Sequence, residues 1–135
     1  MSFVLDTNAV SAVMKGEART LSRLRDAAKR EVFVPQPVLA EISYGIARLP
    51  KSKRKESLRQ RFELVKGELL RADWTDAVSE AFGDIKAHLE RRGTPIEDFD
   101  AAIAAHAHAL GAVLVTSNLT HMVRIPGLRV EDWAK

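Results

Sequence analysis

Four short apolar runs, none long enough to make a helix, constrain the fold of this chain more than any other feature. Residues 3–6 read "FVLD", residues 32–35 read "VFVP" and residues 112–118 read "AVLVTSN"; a weaker fourth, "GLRVEDW", spans 127–133. The first three are apolar without alternation, which suits strands buried on both faces rather than half-exposed hairpins. Helical periodicity fills the intervals between them. Short buried strands separated by helices imply an α/β fold: a central parallel sheet of four to five short strands flanked by helices.

The intervening segments carry their own punctuation. "TNAVSAVMKG" follows the first strand, with Thr7 or Asn8 expected to cap a short helix that Gly16 closes. A charged amphipathic stretch covers residues 20–30. In "QPVLAEISYGIARL", Val38, Ile42 and Ile46 recur every fourth residue, and Pro37 falls near the first turn. Leu58, Phe62, Val65 and Leu69 give the next helix its stripe, after a segment "LPKSKRKES" (residues 49–57) that reads as an interhelical loop. A helix within residues 74–92 ends at Gly93 and Pro95. The segment "TPIEDFDAAIAAHAHA" (residues 94–109) is then a helix closed by Gly111, with Phe99, Ile103, Ala107 and Leu110 expected on its apolar face. There is no repeat, linker or low-complexity tract. At 135 residues the chain is expected to be one domain, 1–135, with a core of its own.

The absence of cysteine removes disulfides and thiolate metal sites and fits a reducing compartment. The start, "MSFVLDTNAV", has no basic segment and meets an acid after three apolar residues, unlike a secretory signal. No apolar run approaches the ~18 residues of a membrane span. A cytoplasmic protein without membrane contact is the expectation. The net charge of +3 gives a modest bias towards polyanions.

Three acids stand out against this background. In open parallel sheets, ligands sit beyond the carboxyl ends of the strands, and Asp6 directly follows the first strand. Glu97, Asp98 and Asp100 crowd one helix start. The helix dipole favours any one of them there by ~0.3–1 kcal/mol, but three exceed what one helix start requires. On helical geometry Asp100 borders the buried face, whereas Glu97 and Asp98 are expected to be solvated first-turn or capping acids. Glu41 precedes the core position Ile42 and follows "VLA", so it needs an amide, a cation or a metal as partner. Carboxylates converging to ~4 Å repel by about 4 kcal/mol per pair at an effective dielectric of ~20. A hard divalent cation, Mg2+ or Mn2+, relieves that repulsion through oxygen ligands and suits phosphate substrates. His106 and His108, two apart on a helix, face different ways and read as ordinary packing or surface residues.

These residues sit within four longer matches. "FVLDTNAVS", "PQPVLAEISYGI", "PIEDFDAAIAAHAHALGAVLVTSN" and "RIPGLRVEDW" occur in one order across nearly the whole chain, and together they resemble the PIN-domain ribonucleases, specifically the VapC toxins of toxin–antitoxin pairs. The resemblance implies that Asp6, Glu41 and Asp100 bind the metal and carry catalysis. Thr7, Asn8, Thr116 and Asn118 would then support the site from behind. Asn118 stands where many relatives have aspartate, and His121 where many keep an acid, which bears on whether a second metal is held. The implied activity is metal-dependent hydrolysis of RNA; the implied partners are RNA, a cognate antitoxin and a second copy of the chain in a homodimer. A catalytically degenerate PIN domain that binds RNA or protein without cleaving is the alternative, and Asn118 and His121 are its supporting features. The run "RLPKSKRKESLRQR" (residues 48–61), with seven basic side chains and one acid, reads equally as a solvated face or as a source of phosphate contacts.

Overall fold

The computed structural model describes residues 1–135. In chain order the elements are β1 (Phe3–Leu5), α1 (Thr7–Lys15), α2 (Ala18–Asp26), a 3-10 turn (Lys29–Glu31), β2 (Val32–Pro35), α3 (Gln36–Ala47), α4 (Lys53–Glu68), β3 (Leu70–Ala72), α5 (Asp76–Arg91), α6 (Asp98–Leu110), β4 (Val113–Val115), α7 (Leu119–Met122) and β5 (Val130–Glu131). The five strands form one sheet in the order β3-β2-β1-β4-β5, all parallel. The expected α/β architecture with a parallel sheet of up to five strands is what the chain adopts, in a single domain.

The strand order sets the place of the site. From β1 the chain winds outward through β2 to β3, then crosses back to β4 on the other side of β1 and ends at β5. The winding direction reverses between β1 and β4, and the crevice beyond their carboxyl ends is where a doubly wound sheet leaves room for a ligand. Leu5 pairs with Val115, so the next residues, Asp6 and Thr116, leave the sheet side by side.

The core forms on both faces of these central strands. Val4, Leu5, Val32, Val34, Leu114 and Val115 are essentially inaccessible to water, as expected for apolar runs without alternation. Val38, Ile42 and Ile46 of α3 are buried, and so are Phe62, Val65 and Leu69 of the α4 stripe, which therefore belongs to the core.

Four expectations need correction. Neither Thr7 nor Asn8 caps α1; Asp6 does, its Oδ1 accepting from the Ala9 amide at 2.8 Å, and Thr7 is already the first helical residue. The loop foreseen at 49–57 is shorter, because Ser52 caps α4 through the Lys55 amide and the helix starts at Lys53. Strand β3, not among the four runs read as strands, lies directly after the α4 stripe; at the sheet edge its Leu70 is exposed, so no long apolar run announces it. Finally, α6 has no single apolar face. Ala101 to Ala107 are all buried, whereas Phe99 and Leu110 are each 46% exposed. The helix sits between α5 on one side and β1, β4 and α3 on the other. Its five buried alanines let these neighbours approach closely, and only Ile103 and His106 add bulk among them.

That close packing leaves little room for a larger side chain. Ala104→Leu is expected to cost about 1–3 kcal/mol by overpacking, read as a lower urea midpoint at unchanged slope. A variant as stable as the parent would show that α6 is not held as tightly as described.

Candidate active site

Local chemistry explains how each acid reaches the crevice. Asp6 ends β1, its amide donating to Val115 O at 3.0 Å, and caps α1. An N-cap carboxylate satisfies an amide the helix leaves open and meets the positive end of its dipole. Asp6 is buried and hydrogen-bonded to the Thr116 hydroxyl across the β1–β4 junction. Thr116 Oγ1 in turn accepts from the Asn118 amide at 2.9 Å, which leaves its single proton for Asp6. Thr116 thus sits beside Asp6 where β1 and β4 leave the sheet. Glu41, half-buried on α3, accepts a hydrogen bond from the Thr7 hydroxyl at 2.5 Å. Asp100 lies in the first turn of α6, half-buried.

The three acids come from three elements into one electrostatic neighbourhood. Burial pushes the Asp6 carboxyl above its ordinary range against the pull of the Thr116 hydroxyl and the Ala9 amide, and the charges of Asp100 and Glu41 push it further. Burial also raises Asp100, helped by Glu41 and Glu97 and opposed by His121. None of the three makes an ion pair. Glu41 and Asp100 line an open cleft of about 780 Å3, with Lys86, Glu97, Asn118 and His121 on its walls; Asp6 does not line it.

The other residues sort as follows. Asp98 pairs with Lys86 at 2.9 Å and Glu97 occupies the N-cap of α6, both exposed, so neither needs the crevice to explain it. Asn118 Oδ1 accepts from His121 Nδ1 at 2.6 Å, and Asn8 Nδ2 reaches Ser117 Oγ only at 3.5 Å. Sequence reasoning missed Lys86, whose place opposite the α6 start depends on how α5 and α6 pack. Of the two readings offered for His106, packing holds: it is fully buried, its Nδ1 at 2.7 Å from Ala102 O, its ring edge-on to Trp74 at 5.2 Å. Burial holds it below the usual histidine range.

Chemically, the crevice offers carboxylate oxygens with no sulfur and no ion pair to any of the three acids, the donor set a hard divalent ion takes. No three His, Asp or Glu side chains are drawn together into a finished ligand set.

The raised carboxyls give a pH signature. An acid whose folded pKa is raised destabilises the fold once ionised, so the metal-free protein should gain stability from these groups as pH falls from neutral towards about 4. Asp100→Asn should raise the melting temperature at pH 7 in EDTA by a few degrees, and the gain over the parent should shrink near pH 4. Asp6→Asn should behave alike, because asparagine caps a helix as well as aspartate does. A loss of stability at pH 7 in both variants would contradict the charge crowding.

The sequence matches the PIN domain family over residues 3–127. Ribonuclease VapC2 of Rickettsia felis is 34% identical over 100% of both chains. The tRNA(fMet)-specific endonuclease VapC of Salmonella typhimurium is 32% identical over 98% of each. Among solved structures, VapBC2 from Rickettsia felis bound to a DNA fragment from its promoter superposes with a TM-score of 0.89 at 31% identity, covering 98% of this chain and 99% of that one. DNA-bound VapBC from Salmonella typhimurium gives 0.83 at 31% identity over 98% of each chain. The chain belongs to the PIN-domain family, and within it to the VapC ribonucleases.

Proposed function

We propose that this chain is a divalent-metal-dependent endoribonuclease, the toxin of a toxin–antitoxin pair, that hydrolyses RNA phosphodiester bonds at the crevice of Asp6, Glu41 and Asp100. The observation that carries the reading is buried negative charge with no ion pair: burial first, and then the charge of Glu41, raises both Asp6 and Asp100. Mg2+ fits that donor set, with Mn2+ an alternative of the same class. When bound, such an ion supplies Lewis acidity and neutralises charge on the phosphoryl oxygens.

The chain's own residues divide the remaining work. Asp6 is held by the Ala9 amide and the Thr116 hydroxyl, so its carboxylate keeps one orientation. Thr7 fixes Glu41 in the same manner. Asp100 is the least restrained of the three, at the open side of the crevice, and is the group best placed to accept a proton from an attacking water. Its raised pKa makes it a better base than an exposed aspartate. Asn118 and His121 bond to each other at the cleft wall, so the site is proposed to work without a second acidic cluster.

Partners follow by likeness. The relatives' solved structures are toxin–antitoxin complexes by name, and a cognate antitoxin and a homodimer are proposed here too. The chain has no helix long and apolar enough to cross a membrane, and a cytoplasmic site of action is part of the proposal. The Salmonella typhimurium relative is named for tRNA(fMet), which makes that tRNA the first substrate to try.

Asp6→Asn and Asp100→Asn should each lower Mn2+-dependent RNA cleavage at least 100-fold while circular dichroism stays that of the parent. Full cleavage by both variants would end the site assignment. A parent that binds RNA yet never cleaves it would favour the degenerate reading. If water rather than a ribose hydroxyl attacks, fragments should carry 5′-phosphate and 3′-hydroxyl ends on sequencing gels. 2′,3′-cyclic phosphate ends would remove this mechanism.

A further inference from the structure

The charge run 48–61 divides into two structural roles. Lys55 Nζ donates to Ala47 O and Leu49 O at 3.2 and 3.1 Å, closing the end of α3, and Arg61 Nη1 donates to Met14 O at 3.3 Å, near the end of α1. Those two brace helix ends. Arg48 and Arg54 make no ion pair. Both line a groove of about 300 Å3 together with Lys15.

The groove begins at the active site. One wall is the α1 row Thr7, Ser11 and Lys15; the other is the α3 row Glu41, Gly45 and Arg48, and Arg54 at the start of α4 closes the far end. Spacings of three and four residues put each row on one face of its helix. Thr7 to Lys15 is about 12 Å along the helix axis. The Thr7–Glu41 hydrogen bond stands at one end and three cations at the other, with Glu41 common to the groove and the catalytic cleft. A polyanion leaving the carboxylates would pass from repulsion to attraction along this path, and no other wall of the cleft carries three unpaired cations.

We propose that this groove is the RNA track, with Lys15, Arg48 and Arg54 holding backbone phosphates of the strand next to the one being cut. The assignment rests on the ribonuclease reading and adds to it the route of the substrate. Contacts of this kind position a strand without reading its sequence. They also exclude Lys53 and Arg59, exposed members of the same run that do not line the groove.

The test is binding of a fluorescein-labelled single-stranded RNA, read by anisotropy in EDTA across a salt series, with the full-length protein. Arg48→Ala/Arg54→Ala should weaken binding about 10-fold or more and reduce the log–log salt slope by about 1.4, at ~0.7 per phosphate contact for single strands. Lys53→Ala/Arg59→Ala removes the same charge from the same run and should change binding less than twofold. Equal losses in both double variants would overturn the track in favour of a diffuse positive field. Retained RNA binding with lost binding of poly-glutamate would overturn it in favour of an acidic protein segment. Because binding is read without metal, the groove can fail while Mn2+-dependent cleavage by the parent survives. Absent cleavage with the expected binding pattern would instead fault the carboxylate reading alone.

Discussion

Negative charge drawn out of water with no ion pair to meet it is the constraint on which this structure turns. The β1–β4 pairing puts Asp6 at the carboxyl edge of the sheet beside Thr116, α3 brings Glu41, and the first turn of α6 brings Asp100. Two helix amino-termini, of α1 and α6, point into the crevice and offset part of the cost, but a dipole end is worth only ~0.3–1 kcal/mol at exposed sites. The raised carboxyls of Asp6 and Asp100 register what remains. A fold selected for stability alone would place neutral residues there. The surrounding packing carries the cost, with both faces of the central strands sealed and α6 locked by a run of buried alanines.

Much of this was legible in the sequence because it rests on local rules. Apolar runs of three or four residues could only be doubly buried strands, and Gly16 and Gly111 do close their helices in the left-handed conformation. Asp6, Glu41 and Asp100 were visible as acids at positions where apolar neighbours made charge expensive. What escaped depends on tertiary context. Asp6 serves both as helix cap and as site acid, so Thr7 and Asn8 looked like better caps than they are. Phe99 was placed on the apolar face by its helical spacing from Ile103, yet a helix enclosed on all sides takes mostly alanine in its middle and leaves the aromatic at the cleft mouth. His106 is buried because α5 and Trp74 close over it, which no spacing within α6 reveals.

Asn118 and His121 give the crevice its particular character. Their mutual hydrogen bond places a neutral amide and an imidazole on the wall facing Asp100, and His121 draws the Asp100 pKa down where a further acid would raise it. The consequence is a site with fewer carboxylates than a two-ion arrangement would ask for and a wall able to donate hydrogen bonds to a phosphate. Beyond Glu41 the surface changes sign towards Lys15, Arg48 and Arg54. In the proposed reading, attraction and chemistry are set on neighbouring surfaces, which would let the carboxylates stay uncompensated where the reaction needs them.

Calorimetric titration of Mn2+ into the protein at pH 7 and again near pH 5 tests the shared carboxylate nest most directly. Protons compete with a metal for carboxyls whose pKa is raised, so the account expects saturable binding at pH 7 that weakens at the lower pH. An Asp6→Asn/Glu41→Gln/Asp100→Asn variant should show no saturable binding at either pH. Binding of equal strength in parent and triple variant would mean that these three acids do not share an ion, and the account would be wrong at its centre.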